Sequence, residues 1–124
     1  MARETRKGPI YEKSFSFAIA VVRLSRQLQT TEKEFVLSKQ LLRSGTAIGA
    51  LVREAEHAES KADFIHKMSI ALKEANETLY WLDLLDQSSL PLSGDAPTIR
   101  SDCDELVRLL VSIVKTSKRN LHET

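Results

Sequence analysis

One stretch dictates what this chain can fold into. It runs from Phe35 to Leu85 and reads FVLSKQLLRSGTAIGALVREAEHAESKADFIHKMSIALKEANETLYWLDLL. Its apolar residues recur every three to four positions, which is the spacing of one helix face. In its first half, Leu37, Leu41, Ile48, Val52 and Ala55 share a face. In its second half, Phe64, Met68, Ala71, Ala75, Leu79 and Leu82 do the same, and Ile65, Leu72 and Leu85 widen the stripe. Ala58-Glu59-Ser60-Lys61 reads as the turn between two helices. Ser60 can cap the helix that follows, with Asp63 at the capping-box position. That helix is expected from Lys61 to Gln87. Thr31 with Glu34 has the same capping-box pattern and is read as the start signal of the earlier helix.

The earlier helix carries an unusual patch of small residues: Ser44, Gly45, Thr46, Ala47, Gly49 and Ala50. A glycine inside a helix costs about 1 kcal/mol relative to alanine. Close approach of a second helix backbone would make that cost worthwhile; a kink is the alternative. Ser44, Gly45 and Gly49 are therefore read as helix-packing or oligomer-contact positions.

The flanks follow the same logic. Before the central stretch, a helix is expected from Ser14 to Gln29, with Phe17, Val21, Leu24 and Leu28 on one face. Ala18, Ile19, Ala20 and Val22 make it apolar well beyond one stripe. Such a helix is buried on more than one side. In a chain of 124 residues that suggests a partner chain, with a broad bundle core as the alternative and Phe17 and Val21 at the packing or oligomer contact. After the stretch, Ser88 to Pro97 reads as a loop rich in breakers. A last helix is expected from Thr98 to Lys118, with Ile99, Cys103, Leu106, Leu110 and Ile113 facing one way. No segment alternates as a strand does. The fold expected is all-α, an antiparallel up-down-up-down four-helix bundle over residues 14–119. Residues 1–13 are read as a flexible basic arm, set off by Gly8-Pro9, and 120–124 as a frayed end.

Composition bounds the function. The formal net charge is +1, so the chain does not coat nucleic acid by bulk charge alone. A single cysteine, Cys103, forms no internal disulfide. No apolar run approaches the ~18 residues of a membrane span, and the first residues lack the apolar core of a signal peptide. A cytoplasmic protein without a membrane partner is expected.

Catalytic constellations were sought and none survives. Glu54…His57 and Asp63…His66 have the carboxylate-x-x-His spacing of di-iron bundles. Yet each histidine sits two residues past a core position, about 200° around the helix. The first helix also has no acidic residue between Ser14 and Gln29. No serine has convergent His and Asp partners, and Cys103 has only the distant His122. No catalytic residue, metal site or cofactor is expected, and the chain is read as a non-enzyme. The remaining functional signal is basic: Arg3, Arg6 and Lys7 in the arm, Lys39 and Arg43 on the second helix, and Lys115, Lys118 and Arg119 near the end. These are candidate phosphate contacts, which oligomer symmetry would multiply.

The runs FVLSKQLLRSGTAIGA, EAE and SKADFIHKMSIALKEANETLYWL closely resemble a bacterial family. It is the four-helix-bundle proteins encoded in intervening sequences of 23S ribosomal RNA genes. The resemblance covers residues 15–85, and the last helix matches in pattern only. It implies an antiparallel bundle that assembles as a homopentamer, in a family with no established enzymatic activity. A related branch, the accessory variability proteins of diversity-generating retroelements, binds nucleic acid and a reverse transcriptase. Two functions are thus expected to compete: a homo-oligomer that binds RNA or an RNA-associated protein, and a protein-only scaffold ring.

Overall fold

The computed structural model describes the backbone of residues 2–88 and 96–123, and the side chains of residues 8–88 and 98–121. Four helices occupy the described residues, without a strand: α1 Ala2–Thr31, α2 Leu37–Ala55, α3 Lys61–Gln87 and α4 Ala96–Glu123. Each packs on its neighbours in ring order, α1 on α2, α2 on α3, α3 on α4 and α4 on α1. The centre is a single apolar core fed by all four helices.

The core stripes are those the spacing predicts. Phe17, Val21, Leu24 and Leu28 are buried from α1, and Leu41, Ile48, Val52 and Ala55 from α2. Met68, Ala71, Ala75 and Leu82 are buried from α3, and Ile99, Cys103, Leu106 and Leu110 from α4. Val114 closes the last stripe, while the expected Leu37, Phe64, Leu79 and Ile113 are only half-buried and pack against the core from its edge.

Five helix boundaries differ from the sequence expectation. The backbone of α1 leaves the helical region at Gly8 (φ 55°, ψ −178°), a conformation open essentially to glycine. Pro9 then restarts the helix, where its fixed φ suits the first position. Helix thus begins before Ser14, and Ile10 joins the core a turn and more upstream of the expected start. Thr31 does not cap α2, because α1 runs on through it. The chain turns at Lys33 in the left-handed region (φ 56°), and α2 begins at Leu37 with no side-chain bond from its N-cap, Val36. Glu34 still serves the helix start: its carboxylate accepts the Ser38 N–H at 2.8 Å. At the other turn Ser60 caps α3 as expected, while the return bond from Asp63 goes one residue further back than in a capping box. Ser60 Oγ accepts the Asp63 N–H at 3.0 Å, and Asp63 reaches back to the Glu59 N–H at 3.2 Å. The α4 helix starts before Thr98 and continues past Lys118 to Glu123. Most of the expected loop, residues 89–95, lies outside the described residues.

The small-residue patch is a close helix contact inside the chain. A Cβ at Gly45 would stand 2.9 Å from both methyls of Val21, and one at Gly49 would stand 3.3 Å from the Ser14 carbonyl. Val21 accordingly faces α2, and Phe17 is likewise buried in the core rather than on an outer surface. Ser44 is wholly buried on the other flank, where its Oγ lies 2.9 Å from Thr78 Oγ1 of α3.

Candidate assembly and binding surfaces

The breadth of apolar residues on α1 has a second consequence. Phe15, Ile19 and Val22 lie at i, i+4 and i+7, on the face turned away from the core, and Arg26 continues the stripe at i+11. Phe15 is 50% exposed and Ile19 40%. Between this stripe and α2 is a cleft of about 280 Å³, floored by Ala18, Thr46, Gly49 and Ala50. Arg53 of α2 stands at one end of it. Its guanidinium carbon is 5.2 Å from the ring centres of both Tyr11 and Phe15. Each such stacking contributes roughly 0.5–1 kcal/mol at an exposed site. Among the described residues Arg53 has no carboxylate partner. Sequence reading missed this group. Its signal was the Tyr11…Phe15 spacing of four, which puts two rings on one helix face.

The other flank of α1 is acidic. A cleft of about 380 Å³ toward α4 is lined by Glu12, Asp102 and Glu105 with Lys13. Lys13 Nζ pairs with Glu105 at 3.1 Å, which leaves Glu12 and Asp102 without a cation among the described residues.

Among the described residues, the basic side chains picked from sequence sit on different parts of the bundle. Arg43 bridges to α3, where Glu74 is 3.2 Å away and Glu77 is also paired. Its guanidinium is committed to the bundle. The Glu77 carboxyl is held below the usual carboxylate range, first by the Trp81 indole N–H at 3.0 Å and then, against the opposing effect of burial, by Arg43. Lys39 is exposed at the start of α2, beside the end of α1 where Ser25 donates to the Ser38 carbonyl. Lys115, Lys118 and Arg119 are exposed near the end of α4. That end lies by the start of α1, since Ile113 and Ile10 line one cavity. The side chains of Arg3, Arg6 and Lys7 lie outside the described residues.

That cavity measures about 610 Å³ and sits at the bundle end between Ile10, Val52, Phe64, Met68 and Leu109. Its volume is in the range of ligand sites, but among the described residues Glu56 and Lys61 are its only charged lining side chains. It offers apolar surface rather than convergent chemistry. Cys103 is inert: it is fully buried, its thiol donates to the Ala75 carbonyl at 3.4 Å, and burial pushes it up to about 12. Among the described residues no three His, Cys, Asp or Glu side chains gather as a metal site would require, and no helix is long and apolar enough to cross a membrane. His57 and His66 are both exposed.

Comparison with known proteins decides the relationship. The family described as 23S rRNA-intervening sequence protein matches residues 6–112. The chain belongs to that family. A solved structure extends the likeness to three dimensions. It is a crystal structure of a protein of unknown function, of the S23 ribosomal protein family, from Bacteroides thetaiotaomicron. It is 50% identical, with 89% of this chain and 98% of that chain covered and a TM-score of 0.83. No curated protein matches. The family match therefore reaches well into α4, beyond the runs in α2 and α3 that first suggest it.

Proposed function

We propose that this 23S rRNA-intervening sequence protein is a non-enzymatic, self-assembling helical module of the cytoplasm, and that its assembled form binds RNA or an RNA–protein complex. The observation that carries the reading is the outward stripe of α1, where Phe15 and Ile19 stay half open to water beside a cleft of small residues. Apolar side chains aligned along one helix face call for a partner surface. The cross-helix pairs support an antiparallel, up-down-up-down bundle as the building block. Arg43 meets Glu77 and Glu54 meets Lys67, so positions rise on α2 as they fall on α3. Ser14 meets Gly49 and Ser25 meets Ser38 in the same sense. The family resemblance sets the expected number of copies at five.

Support for RNA comes from the family and from Lys115, Lys118 and Arg119, which are exposed and unpaired among the described residues. Each copy adds the same cations, so assembly concentrates a positive field that one chain lacks. The test is light-scattering mass followed by a salt titration with a fluorescent single-stranded RNA. The expected result is a multimer whose binding constant falls linearly with salt on logarithmic axes. A second reading, a protein-only scaffold, is favoured by the exposed Phe35, Val36 and Tyr80 and by the neutralisation of Arg43. A multimer that ignores RNA at low salt would establish that reading instead.

A further inference from the structure

The stripe on α1 carries an arginine at each end. Arg53 stands over Tyr11 and Phe15 at one end, and Arg26 closes the other. Neither has a carboxylate partner among the described residues, and α1 offers no acidic residue between Ser14 and Gln29. This charge pattern restricts the symmetry of any self-contact through the stripe. A two-fold axis across its middle would set Arg53 of one copy beside Arg26 of the other. A two-fold axis along it would set Arg53 beside Arg53. Either arrangement desolvates like charges side by side, which costs several kcal/mol in an interface. A self-complementary dimer through this face is therefore disfavoured. The face needs a different, acidic surface opposite it, and a contact between two different faces generates a ring or a filament.

The same chain presents such a surface. On the far flank of α1, the cleft toward α4 holds Glu12, Asp102 and Glu105 against one lysine among the described residues, and that lysine, Lys13, already occupies Glu105. Glu12 and Asp102 are both exposed. We propose that the occupant of the stripe is a second copy of this chain, in a head-to-tail contact in which Glu12 and Asp102 of one copy receive Arg53 of the next. The inference rests on self-assembly and adds to it the residues that give the contact its direction. The aromatic rings pre-position the guanidinium, so little side-chain freedom is lost when the carboxylates arrive.

The experiment is a charge swap read by light scattering on the full chain, with circular dichroism to verify folding. Arg53→Glu places an acid against Glu12 and Asp102. It is expected to reduce the mass toward the 14.0 kDa of one chain, or to raise the midpoint concentration of assembly by about tenfold or more. Glu12→Lys with Asp102→Lys should do the same from the other side. Combining all three substitutions should restore assembly, which a folding defect could not do. Arg53→Glu assembling like the wild type overturns the contact, as does a triple variant that stays dissociated or a wild type that stops at a dimer. If Phe15→Asp dissociates the assembly while Arg53→Glu does not, self-assembly stands and only the Arg53 contact falls. A wild type that remains a single chain at high concentration removes both.

Discussion

At the scale of the residue, Gly45 shows why a helix accepts a poor helix former. Alanine there would gain about 1 kcal/mol of helix propensity. Its methyl would also stand 2.9 Å from both methyls of Val21, a branched side chain that is fully buried and has nowhere to turn. Overpacking of this kind costs about 1–3 kcal/mol. Gly45→Ala is therefore expected to lose about 1 kcal/mol net in urea unfolding, and Gly45→Leu considerably more. The cause can be isolated by a double substitution. Val21→Ala removes the methyls that the new alanine meets, so Val21→Ala with Gly45→Ala should be less destabilised than the sum of the two singles. Strict additivity would mean that the two positions do not press on each other. At Gly49 the neighbour is the Ser14 carbonyl, main chain that cannot rotate aside.

At the scale of the element, the α2–α3 pairing is fastened at three points along its length. Glu54 bonds Lys67 at 3.0 Å, Ser44 meets Thr78 in the core, and Arg43 joins Glu74 and Glu77. Glu77 also holds the Trp81 indole, so one carboxylate serves two helices. Because the carboxyl of the folded state is held below its ordinary range, its contribution is present at neutral pH and is lost as the pH falls through and below about 4. Glu77→Gln is thus expected to lower stability at neutral pH by no more than about 1 kcal/mol, since the pair is partly open to water. The gap between variant and wild type should close in acid. A gap independent of pH in denaturation curves would show that shape rather than charge matters there. These fastenings also mark the limit of sequence reading. Core stripes are legible, because the helical repeat alone shows which residues share a face. The Ser60–Asp63 cap is legible for the same local reason. Partners across helices are not: nothing in the spacing pairs Arg43 with residues thirty-odd positions away, or brings the buried hydroxyls of Ser44 and Thr78 together. The start of α1 was hidden by Gly8-Pro9, a breaker pair that ends one segment and also begins the next helix. The apolar breadth of α1 was visible from the start, yet it pointed to Phe17 and Val21. Only the packing separates those core residues from Phe15 and Ile19 on the opposite side.

At the scale of the whole molecule, the outward stripe links assembly to stability. If copies associate through folded surfaces only, mass action stabilises the folded state as concentration rises. Each tenfold rise in protein shifts the balance by up to about 1.4 kcal/mol per association step. For a chain of this size that corresponds to a rise in melting temperature of roughly 4–7 °C per decade. The wild type is expected to show this dependence in thermal melts across a hundredfold range of concentration. Phe15→Asp should abolish it. Phe15 is half exposed and outside the core, so its replacement leaves the interior of the bundle intact. The variant should therefore melt where the wild type melts at its most dilute, at every concentration. A melting temperature that rises equally for both proteins would place the assembly surface elsewhere, with Phe35, Val36 and Tyr80 the next exposed apolar side chains to replace. A wild-type melt that ignores concentration would mean that Phe15 and Ile19 await a partner other than this chain, and would favour the scaffold reading over the ring.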